Sequence, residues 1–469
     1  MPLDTERLSN IDRYGDRIRI IPAEVRGFYR KHRTWTQALL LIFFLVLPWT
    51  KINGQQSLLI DIIHRKFAIF GSTFFSHDAP LIFFLLATMA IGLAFVTSVW
   101  GRVWCGWACP QTVFIDFVFR GIERLVQGNY RQRRELDAAP MSLQKVWKNF
   151  VTWILFFIAS AVIAHSFAAY FIGSETLLEM MNGSPSENWN YFVGILIATL
   201  LVLFNFGWFR EQFCIIMCPY GRIQSVLLDE NSKSIVYDVD RGEPRKGLNK
   251  SLPPGDCVSC NRCVQVCPTG IDIRKGQQLE CIACTACADA CDEIMVKVKK
   301  PVGLISYRTF DGEKTNFLKP RTLVYIALLI ICVSGLTYAL RTRDSVQIFV
   351  MRAQDTPFTI SQSTSGEKLI TNHFKIQIQN QTDLVQSYDL LAPETWQERR
   401  FVLTVAQAQV RLRPGQMYTW HFFVQFPAEI LNAQGTFTTN FTLRNLPDGK
   451  LEPLLSTPEI ILLGPRNGT

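Results

Sequence analysis

Eight of the thirteen cysteines in this chain lie between Cys257 and Cys291. They form two copies of the pattern Cys-x2-Cys-x2-Cys-x3-Cys, and the second copy begins 24 residues after the first. Thiolates at this spacing hold two [4Fe–4S] clusters, because three cysteines in one loop bind one cluster and the fourth reaches the other cluster. The pattern therefore predicts one cluster on Cys257, Cys260, Cys263 and Cys291, and a second on Cys281, Cys284, Cys287 and Cys267.

Two other uses of closely spaced cysteines fit this pattern less well. A zinc ribbon also contains Cys-x2-Cys, but eight thiols in two identical sets do not match a single tetrahedral zinc site. A disulfide framework requires an oxidising compartment, whereas the membrane topology argued below predicts that these cysteines lie in the reducing cytoplasm.

Five charge-free apolar stretches are long enough, or nearly so, to cross a bilayer as helices of about 20 residues. With 48% hydrophobic residues, the chain is too apolar for an ordinary soluble protein. The N-terminus lacks the apolar core of a cleavable signal peptide, so we expect the spans themselves to direct the chain to the membrane. The predicted spans are Thr34–Thr50, Ala79–Gly101, Asn149–Ser174, Asn188–Phe209 and Thr322–Leu340.

The charges of the loops predict which side of the membrane each loop occupies. Residues 1–33 and loop 102–148 carry eight Lys or Arg each, whereas loop 51–78 carries three and loop 175–187 carries none. Basic loops stay in the cytoplasm. We therefore expect the N-terminus and loop 210–321 in the cytoplasm of a bacterial cell and the C-terminus in the periplasm. The net charge of +9 collects beside the apolar runs, which speaks against nucleic acid as a partner.

The last part of the chain, residues 345–469, has the pattern of an all-β domain. Short runs of alternating β-branched and aromatic residues are separated by turn residues, as in an antiparallel sandwich of the immunoglobulin type. The segment contains no cysteine and no catalytic constellation, so we expect an interaction or structural module. The predicted strands include Phe374–Ile378, Phe401–Val405, Tyr418–Phe426 and Gly435–Leu443.

The predicted architecture is a multi-domain membrane protein with a five-helix transmembrane region. A cytoplasmic N-terminal segment, residues 1–33, precedes transmembrane helices 1–4 within residues 34–230. A cytoplasmic linker and a ferredoxin-like domain with two [4Fe–4S] clusters follow in residues 231–321. Transmembrane helix 5, residues 322–340, then leads to the periplasmic immunoglobulin-like sandwich of residues 345–469.

A second set of cysteines consists of two matching motifs outside the ferredoxin-like segment. Cys105 and Cys109 follow the second predicted span, Cys214 and Cys218 follow the fourth, and a proline comes directly after each pair. The chain is thus internally duplicated as span, span, Cys-x3-Cys-Pro, twice over. A repeat of this kind usually has its site where the two halves meet.

The spacing of each pair would place both sulfurs on one face of a helix, with Cβ atoms about 5–6 Å apart. That distance is longer than a disulfide requires, but it suits a soft metal ion such as Cu(I). Pro110 and Pro219 would leave the carbonyl oxygens of Gly106 and Ile215 without a helical partner, or the helix would bend there. A redox thiol switch, or buried cysteines that act as small apolar side chains, are the alternatives.

Four features occur together in this chain: the paired Cys-x3-Cys-Pro motifs and the sequences GDCVSC, CPTGIDIR and ECIACTACADACD. In this combination the chain resembles, along essentially its whole length, the FixG/RdxA/CcoG family of membrane-bound polyferredoxins, known as cytochrome c oxidase accessory proteins. The resemblance implies a role in assembling a cbb3-type oxidase by reducing Cu(II) to Cu(I). It further implies that the eight loop cysteines bind the clusters and that copper is handled by Cys105, Cys109, Cys214 and Cys218.

Three functions are open on the sequence alone. The first is cupric reduction, in which electrons from an unidentified donor pass through the clusters to copper. The second is a quinol-linked electron conduit, although the sequence shows no residue set typical of a quinone site. The third is a non-catalytic assembly scaffold whose periplasmic domain binds a partner. The expected partners are membrane lipid and, by the resemblance, oxidase assembly factors or copper carriers.

Overall fold

Four helices in the described part of the chain are long and apolar enough to cross a bilayer. Each has at least 21 residues and a mean hydropathy of 2.0 or more, and a bilayer core takes about 20 helical residues. Four of the five predicted spans therefore form such helices, with ends shifted by a few residues. The helices are Pro80–Trp100, Leu143–Ile172, Trp189–Phe209 and Pro320–Arg341.

The remaining predicted span, Thr34–Thr50, belongs to the helix Phe28–Val46, which is followed by a 3-10 turn at Leu47–Trp49. This helix begins with a basic run that includes Arg30 and Arg33, and it is not among the four. Its apolar part is shorter than a bilayer core requires of an untilted helix. The fifth span therefore stays a prediction.

The computed structural model divides into two units. The first comprises residues 1–50 and 79–338, and the second comprises residues 51–78 and 339–469. The described residues are 19–52, 55–62, 66–70, 72–75, 79–229, 231–246, 253–309, 319–342, 346–353, 355–362, 367–382, 385–392, 396, 400–413, 415–447 and 455–465.

In the first unit, short helices follow the long ones. The helix Tyr130–Ala138 begins with a capping box, in which Asn129 and Gln132 exchange hydrogen bonds between side chain and backbone. Such a box satisfies backbone donors that the first helical turn leaves without partners. The other short helices are Val103–Trp107, Pro110–Val113, Arg120–Gln127, Ser174–Asn182 and Pro219–Leu227, and π-helical turns occupy Phe114–Phe119, Phe204–Phe209 and Phe213–Met217.

Aromatic side chains join these short helices to the long ones. Phe119 is fully buried, and its ring lies 4.9 Å from that of Phe156 and 5.5 Å from that of Phe206, measured between centroids. Phe114 packs on Phe206 at 5.2 Å. Because Phe156 and Phe206 belong to different long helices, this core holds the segment after the first cysteine pair against the ends of both.

The cysteine-rich segment folds around a two-stranded antiparallel sheet and two helices. Strands Ser234–Tyr237 and Ile305–Arg308 pair in the sheet, and the helices are Arg262–Gln265 and Ala286–Lys297. Shorter helical turns occupy Val239–Gly242 and Ile273–Lys275. The apolar core between sheet and helices contains Ile235, Met295, Leu304 and Ile305. The predicted ferredoxin-like domain is therefore present.

In the second unit, the segment 51–78 contains short strands that the sequence did not predict. Strands this short are weak sequence signals, because a pattern with a period of two needs several residues to stand out. The strands are Lys51–Ile52 paired with Gln55–Gln56, and a three-stranded antiparallel sheet of Leu58–Asp61, Lys66–Ile69 and Ser72–Phe75.

The remainder of the second unit is the predicted immunoglobulin-like sandwich. Trp420 and Phe422 are fully buried in one apolar core, because alternate side chains of a strand point inward. Trp396, which lies outside the strands, is buried in the same core. The four predicted runs all lie on strands, but the run Gly435–Leu443 is divided at Phe441 into strands of different sheets.

The sandwich strands are arranged as follows. One sheet has the order Val402–Val405, Met417–Pro427, Lys368–Asn380 and Val346–Arg352, with Thr359–Gln362 paired to Lys368–Asn380. The other has the order Gln409–Leu412, Gln386–Leu391, Thr442–Pro447 and Leu455–Ser456. The strand Thr436–Asn440 pairs separately with Glu459–Leu463.

Candidate iron–sulfur and thiol centre

The two copies of the cysteine pattern have the same backbone conformation. Ser259 and Asn261 in the first copy, and Ala283 and Thr285 in the second, all have positive φ angles between 52° and 62°. Each residue of the second copy lies 24 positions after its counterpart. Because non-glycine residues rarely adopt this left-handed conformation, its presence at both equivalent positions shows that the repeated sequence folds into a repeated loop.

The fold brings the fourth cysteine of each copy to the first three of the other. Burial raises the pKa of Cys291 to about 12, and neighbouring thiols, including those of Cys263 and Cys257, add to the shift. Burial likewise raises the pKa of Cys281 to about 12, with a contribution from Cys267. Cys257, Cys263 and Cys291 also share one buried cluster, and Cys267 and Cys281 share another. These contacts support a first group of Cys257, Cys260, Cys263 and Cys291, and a second group of Cys267, Cys281, Cys284 and Cys287.

Both groups fit a [4Fe–4S] cluster in the chemistry of their donors and surroundings. Each consists of four thiols, and thiolates are the usual ligands of such clusters. The second group lines a cavity together with Thr269, Ile271 and Cys263 of the first group, and the first group packs against Ile235 and Met295. Among the described residues, no three His, Cys, Asp or Glu side chains are placed to hold one metal ion. The four thiols that hold a cluster of four irons lie farther apart than the ligands of a single ion. A cluster therefore does not require three side chains close enough to bind one ion.

The two Cys-x3-Cys motifs also share their backbone geometry. The backbone N–H of Cys109 donates to the carbonyl oxygen of Trp104, and that of Cys218 donates to the carbonyl oxygen of Phe213, both at 2.9 Å. Each bond spans five residues, which is one more than in an α-helix. The two motifs lie 109 residues apart, and each is closed by the same type of turn.

Each motif follows a residue that has a positive φ angle at the end of a long helix. Gly101 has a φ of 59°, and Arg210, at the equivalent position of the second half, has a φ of 51°. At Gly101 the carbonyl oxygen of Lys233 occupies the space that a Cβ atom would take, so glycine is required. The internal duplication seen in the sequence therefore extends to the backbone.

The prediction that each pair lies on one face of a helix is wrong. Cys105 is in the helix Val103–Trp107, but Cys109 has φ −61° and ψ 127° and precedes a new helix that begins at Pro110. Cys218 is extended in the same way, with a ψ of 110°. A proline disfavours the α conformation in the residue before it. The chain therefore bends at the second cysteine of each pair.

Polar side chains after each motif bind the long helix that precedes the other motif. Gln111 and Asn205 exchange amide hydrogen bonds of 3.1 and 2.9 Å. The hydroxyl oxygens of Tyr220 and Thr97 are 2.5 Å apart. Since Gln111 and Tyr220 each follow the proline of their motif, the two contacts are equivalent and hold the halves together.

The four cysteines of the two motifs meet where the halves join. Burial raises the pKa of Cys105 to about 11, and Cys109 and Cys218 add to the shift. The pKa of Cys214 lies well above its ordinary range, again through burial first and then through the neighbouring thiols. The Sγ atom of Cys105 donates a 3.3 Å hydrogen bond to Oε1 of Gln224 in the other half. Cys105, Cys109 and Cys214 are partly buried, and their raised pKa values keep these thiols protonated at neutral pH.

The first Cys-x3-Cys loop touches a loop of the second cysteine group. A Cβ atom on Gly106 would lie 2.5 Å from the carbonyl oxygen of Ile282, so the two backbones are in direct contact. Cys214 of the other motif lines a small cavity together with Ile282 and Pro268. Ile282 and Pro268 each come directly after a cysteine of the second group. Both motifs therefore lie against that group.

Two buried arginines lie beside the second cysteine group. Arg102 donates to the carbonyl oxygens of Leu279 and Cys281, and Arg120 donates to that of Pro268 at 3.5 Å. Arg102 is only 7% exposed and Arg120 only 5% exposed. They place positive charge where a cluster bound to this group would carry negative charge.

Two buried carboxylates, Asp116 and Glu123, organise the arginines around the site. Asp116 pairs with Arg33 at 3.2 Å, and Nε of Arg33 donates a 2.7 Å hydrogen bond to the carbonyl oxygen of Gly106. Glu123 pairs with Arg210 at 2.7 Å. Burial alone would raise the pKa of both carboxyl groups, but the guanidinium groups hold each pKa below its ordinary value. Both carboxylates therefore stay ionised, and Asp116 anchors the first Cys-x3-Cys loop through Arg33.

The first turn of the helix Phe28–Val46 and the segment just before it are bound to the cysteine domain. The carboxylate of Asp289 accepts hydrogen bonds from the backbone N–H groups of Tyr29 and Arg30, at 3.1 and 2.6 Å. The N–H of Ala23 donates to the carbonyl oxygen of Gln265 at 2.8 Å. This N-terminal segment thus joins the first long helices to the cysteine domain.

Comparison with known proteins identifies the family. Residues 209–310 match a 4Fe-4S dicluster domain, residues 81–130 match a 4Fe-4S binding domain, and residues 336–457 match the IG-like fold at the C-terminus of FixG. Protein RdxA of Cereibacter sphaeroides is 32% identical to this chain over 421 residues, which is 86% of this chain and 85% of RdxA. The chain belongs to the FixG/RdxA family.

Two further relatives have similar coverage. The nitrogen fixation protein FixG of Rhizobium meliloti is 32% identical over 413 residues, 78% of each chain. Protein RdxB of Cereibacter sphaeroides is 34% identical over 400 residues, 80% of this chain and 82% of RdxB. A crystal structure of a FixG-related protein from Vibrio parahaemolyticus aligns with a TM-score of 0.18 and 16% identity, over 25% of this chain and 97% of that chain.

The resemblance inferred from the sequence is thus confirmed. As a member of the FixG/RdxA family, this chain is an iron–sulfur electron-transfer protein of the membrane, with two 4Fe-4S-binding domains and an immunoglobulin-like C-terminal domain.

Sequence reasoning located the cysteines of this FixG/RdxA-family protein but missed the charged side chains around them. Arg33, Arg102 and Arg120 counted only as loop charges when the topology was predicted. One signal for such a role was available, because Asp116 interrupts the otherwise apolar run Phe114–Phe119. A charge inside an apolar run is expensive to bury unless it is paired, so it indicates a buried ion pair.

Proposed function

We propose that this protein passes electrons through two [4Fe–4S] clusters to the thiols of the two Cys-x3-Cys motifs, where Cu(II) is reduced to Cu(I) for a cbb3-type oxidase. The contact between Gly106 and Ile282 carries this proposal, because it joins the first motif to the second cysteine group. An electron on a cluster held by that group would be separated from the thiols by little more than one loop.

The proposed cluster ligands are the two groups of four thiols. The first cluster would be held by Cys257, Cys260, Cys263 and Cys291, and the second by Cys281, Cys284, Cys287 and Cys267. The repeated left-handed loops and the exchange of the fourth cysteine between the copies support this assignment. When bound, each cluster supplies a one-electron carrier, and the loops, helices and buried arginines of this chain set its position and its electrostatic surroundings.

Copper suits the second set of thiols as a substrate. Thiolates are soft ligands that favour Cu(I), so Cys105, Cys109, Cys214 and Cys218 would bind the reduced ion in preference to the harder Cu(II). In this step Cu(II) would gain one electron, supplied by a cluster that Cys267, Cys281, Cys284 and Cys287 would hold, and the thiol protons displaced by the ion would pass to water.

We further propose that the N-terminal segment and the cluster domain lie in the cytoplasm, and the sandwich in the periplasm. The division of the chain supports this placement. Residues 51–78 and 339–469, both predicted to be periplasmic, belong to one unit, and the cluster domain belongs to the other. Fusions of a periplasm-active reporter after residue 60 and after residue 469 should be active, and a fusion after residue 309 should be inactive.

A double substitution tests the copper step. The variant Cys105→Ser, Cys218→Ser, purified without oxygen, should keep about eight irons per chain, four for each cluster. Its dithionite-reduced clusters should no longer reduce Cu(II), whereas those of the wild type and of the control Cys332→Ser should. Undiminished reduction in the double variant would exclude these thiols as the copper site.

The iron content also distinguishes the proposed two clusters from an arrangement with a third cluster. Residues 81–130 match a 4Fe-4S binding domain although they contain only Cys105 and Cys109. About twelve irons per wild-type chain, falling to about eight in the double variant, would indicate a third cluster on the two motifs. About eight irons in both proteins supports the proposed arrangement.

A partner-binding role for the sandwich is the second candidate function. Phe349, Met351 and Phe423 are between 40% and 49% exposed on one of its sheets, and exposed apolar patches often mark binding surfaces. Oxidase assembly factors or copper carriers would be the partners. Deletion of residues 345–469 should then abolish oxidase assembly while Cu(II) reduction by the purified protein continues.

A further inference from the structure

A cavity of about 430 Å³ lies beside the helix Arg120–Gln127, at the ends of two long helices of the first unit. The helix Leu143–Ile172 and the end of Trp189–Phe209 supply two of its walls. Its lining includes Glu123, Gln127, Trp153, Trp208, Arg210 and Glu211.

One side of the cavity is aromatic. Trp153 and Trp208 are 45% and 52% exposed on the two long helices, and Phe156 lies behind them in the same wall. Tryptophan at such positions is typical of the zone between lipid tails and headgroups. A ligand can therefore enter from the lipid phase and place an apolar ring between these aromatic side chains.

The other side of the cavity is polar and reaches water. The amide nitrogen of Gln127 donates to Asn149 at 3.3 Å and to Thr152 at 3.2 Å, which orients its carbonyl oxygen as an acceptor. Arg19 lines the cavity and its side chain is 48% exposed. The cavity thus matches an amphipathic molecule that has both a ring and hydroxyl groups.

The charges of the cavity favour a neutral ligand. Glu123 pairs with Arg210 at 2.7 Å and also with Arg19 and Arg133, Arg19 pairs in addition with Asp137, and Glu211, which also lines the cavity, is paired with Arg120. A lipid phosphate would meet two carboxylates in this space, and the arginines that could attract it are already paired. A neutral hydroxyl-bearing molecule meets no such repulsion.

One residue connects this cavity to the redox centre. Glu211 lines the cavity and also lines the small space that contains Cys214, Pro268 and Ile282. Pro268 and Ile282 directly follow Cys267 and Cys281 of the second cysteine group. A molecule in the cavity is therefore close to the proposed second cluster.

We propose that this cavity binds a lipid-soluble hydroquinone that donates electrons to the clusters. This inference rests on the proposed function, since it takes the two clusters as the acceptors. The two O–H bonds of one hydroquinone break and a quinone forms. The two electrons reduce the two clusters by one electron each, and the two protons go to water on the polar side of the cavity, next to Arg19. A two-electron donor is thereby matched to two one-electron carriers.

The chain's own residues have separate tasks in this step. The carbonyl oxygen of Gln127 accepts a hydrogen bond from one hydroxyl, and the aromatic wall positions the ring. Glu123 stays ionised because its arginine partners hold its pKa low, so it anchors the cavity and does not take the protons. Gln127 and the aromatic wall are therefore positioning residues for the ligand.

The test uses the full-length protein in lipid nanodiscs, without oxygen, with a short-chain hydroquinone added and cluster reduction followed by EPR. The variant Gly207→Val narrows the cavity, because a Cβ atom there already lies 3.3 Å from Trp153 and 3.5 Å from Phe156. Gly194→Val is the matched control, since it adds the same side chain in the helix Trp189–Leu203 where no atom lies within 4 Å. Gln127→Leu provides a second variant that leaves the aromatic wall unchanged.

We expect the hydroquinone to reduce the clusters of the wild type and of Gly194→Val, and to act about tenfold more slowly or worse on Gly207→Val and Gln127→Leu. Dithionite should reduce the clusters of all four proteins.

Reduction by dithionite but not by hydroquinone in the wild type would overturn this inference and leave the proposed function standing. Equal hydroquinone rates in all four proteins, or a phospholipid retained in the cavity that hydroquinone does not displace, would also overturn it. Absence of iron would instead refute the proposed function.

Discussion

Gly106, in the first Cys-x3-Cys loop, packs its backbone against the carbonyl group of Ile282, 176 residues further along the chain. The contact is possible because glycine has no side chain at this point, and Arg33 supports it by donating to the Gly106 carbonyl oxygen at 2.7 Å. It joins two motifs that the sequence presents as separate. The following predictions depend on this contact and on the charged groups that maintain it.

Gly106→Ala should slow the passage of electrons from the clusters to copper by about tenfold or more, in keeping with the sensitivity of reactions to displacements near 1 Å. The added Cβ has no space beside Ile282 and must push the two loops apart. Stopped-flow mixing of dithionite-reduced protein with Cu(II) measures the rate. The control is Gly121→Ala, because a Cβ atom at Gly121 meets no atom within 4 Å. An unchanged rate in Gly106→Ala, with iron content retained, contradicts the proposed route.

Arg102→Gln should lower the reduction potential of the second cluster. Loss of a positive charge beside an anionic cluster makes its reduction harder, on the order of tens of millivolts for one charge at an effective dielectric constant of about 20. Redox titration followed by EPR measures both clusters. Arg274→Gln, next to Cys263 of the first group, should instead affect the first cluster. A shift of the same cluster in both variants would refute the assignment of the two groups.

Asp116→Asn should destabilise the first unit by about 3–5 kcal/mol, since it leaves the buried Arg33 without its carboxylate partner. The arginines hold the pKa of Asp116 below its value in the unfolded chain, so its contribution is complete above a pH of about 4 and is lost as the pH falls through the lowered pKa. The difference in thermal midpoint from the wild type should therefore be the same at pH values of about 7 and about 5.

The matched control for that experiment is Asp137→Asn. Asp137 pairs with Arg19 at 3.1 Å, but both side chains are nearly half exposed, and exposed pairs contribute little. Its thermal midpoint in detergent should stay close to that of the wild type. If the thermal midpoint falls no further in Asp116→Asn than in Asp137→Asn, the result would contradict the role of the buried ion pairs around Asp116.

Asp289→Ala should release the N-terminal segment from the cysteine domain. The two backbone N–H groups of Tyr29 and Arg30 would lose their common acceptor, at a cost of about 1–3 kcal/mol for each group left without a partner. Hydrogen exchange and trypsin cleavage near Arg30 should both become faster. Glu293→Ala, in the same helix but paired only with Lys297 among the contacts described, serves as the control. Protection of Tyr29 and Arg30 that is unchanged in Asp289→Ala would rule out this attachment.

The metal chemistry was predictable because cluster ligands are local in sequence. The spacing within Cys257–Cys291 determines which thiols share a loop, and the repeated left-handed residues at Asn261 and Thr285 follow from that repeat. The four long helices were predictable for a similar reason, since a bilayer requires apolar length and little else. The sandwich strands followed from alternation, which is also a local property.

Predictions failed where a neighbouring residue or a distant segment decided the outcome. Each Cys-x3-Cys pair was placed on one helical face, but Pro110 and Pro219 disfavour the α conformation in the cysteines before them. The segment 51–78 was treated as a loop, because its strands are too short for a periodic pattern. The cavity lined by Gln127 and Trp208 was not foreseen, since four separate segments of the sequence form it.

The sequence by itself determined the ligand chemistry, the long apolar helices, the all-β C-terminal domain and the internal duplication. Only the tertiary structure decided that the backbone of Gly106 contacts that of Ile282, and that Arg102 and Arg120 lie beside the second cysteine group. It also decided that Glu211 lies between this group and the cavity. The physical reason is how far apart along the chain the interacting residues lie. Metal-ligand spacing, span length and strand alternation act between residues close along the chain, whereas loop contacts, buried ion pairs and cavities arise from packing between segments that the sequence keeps far apart.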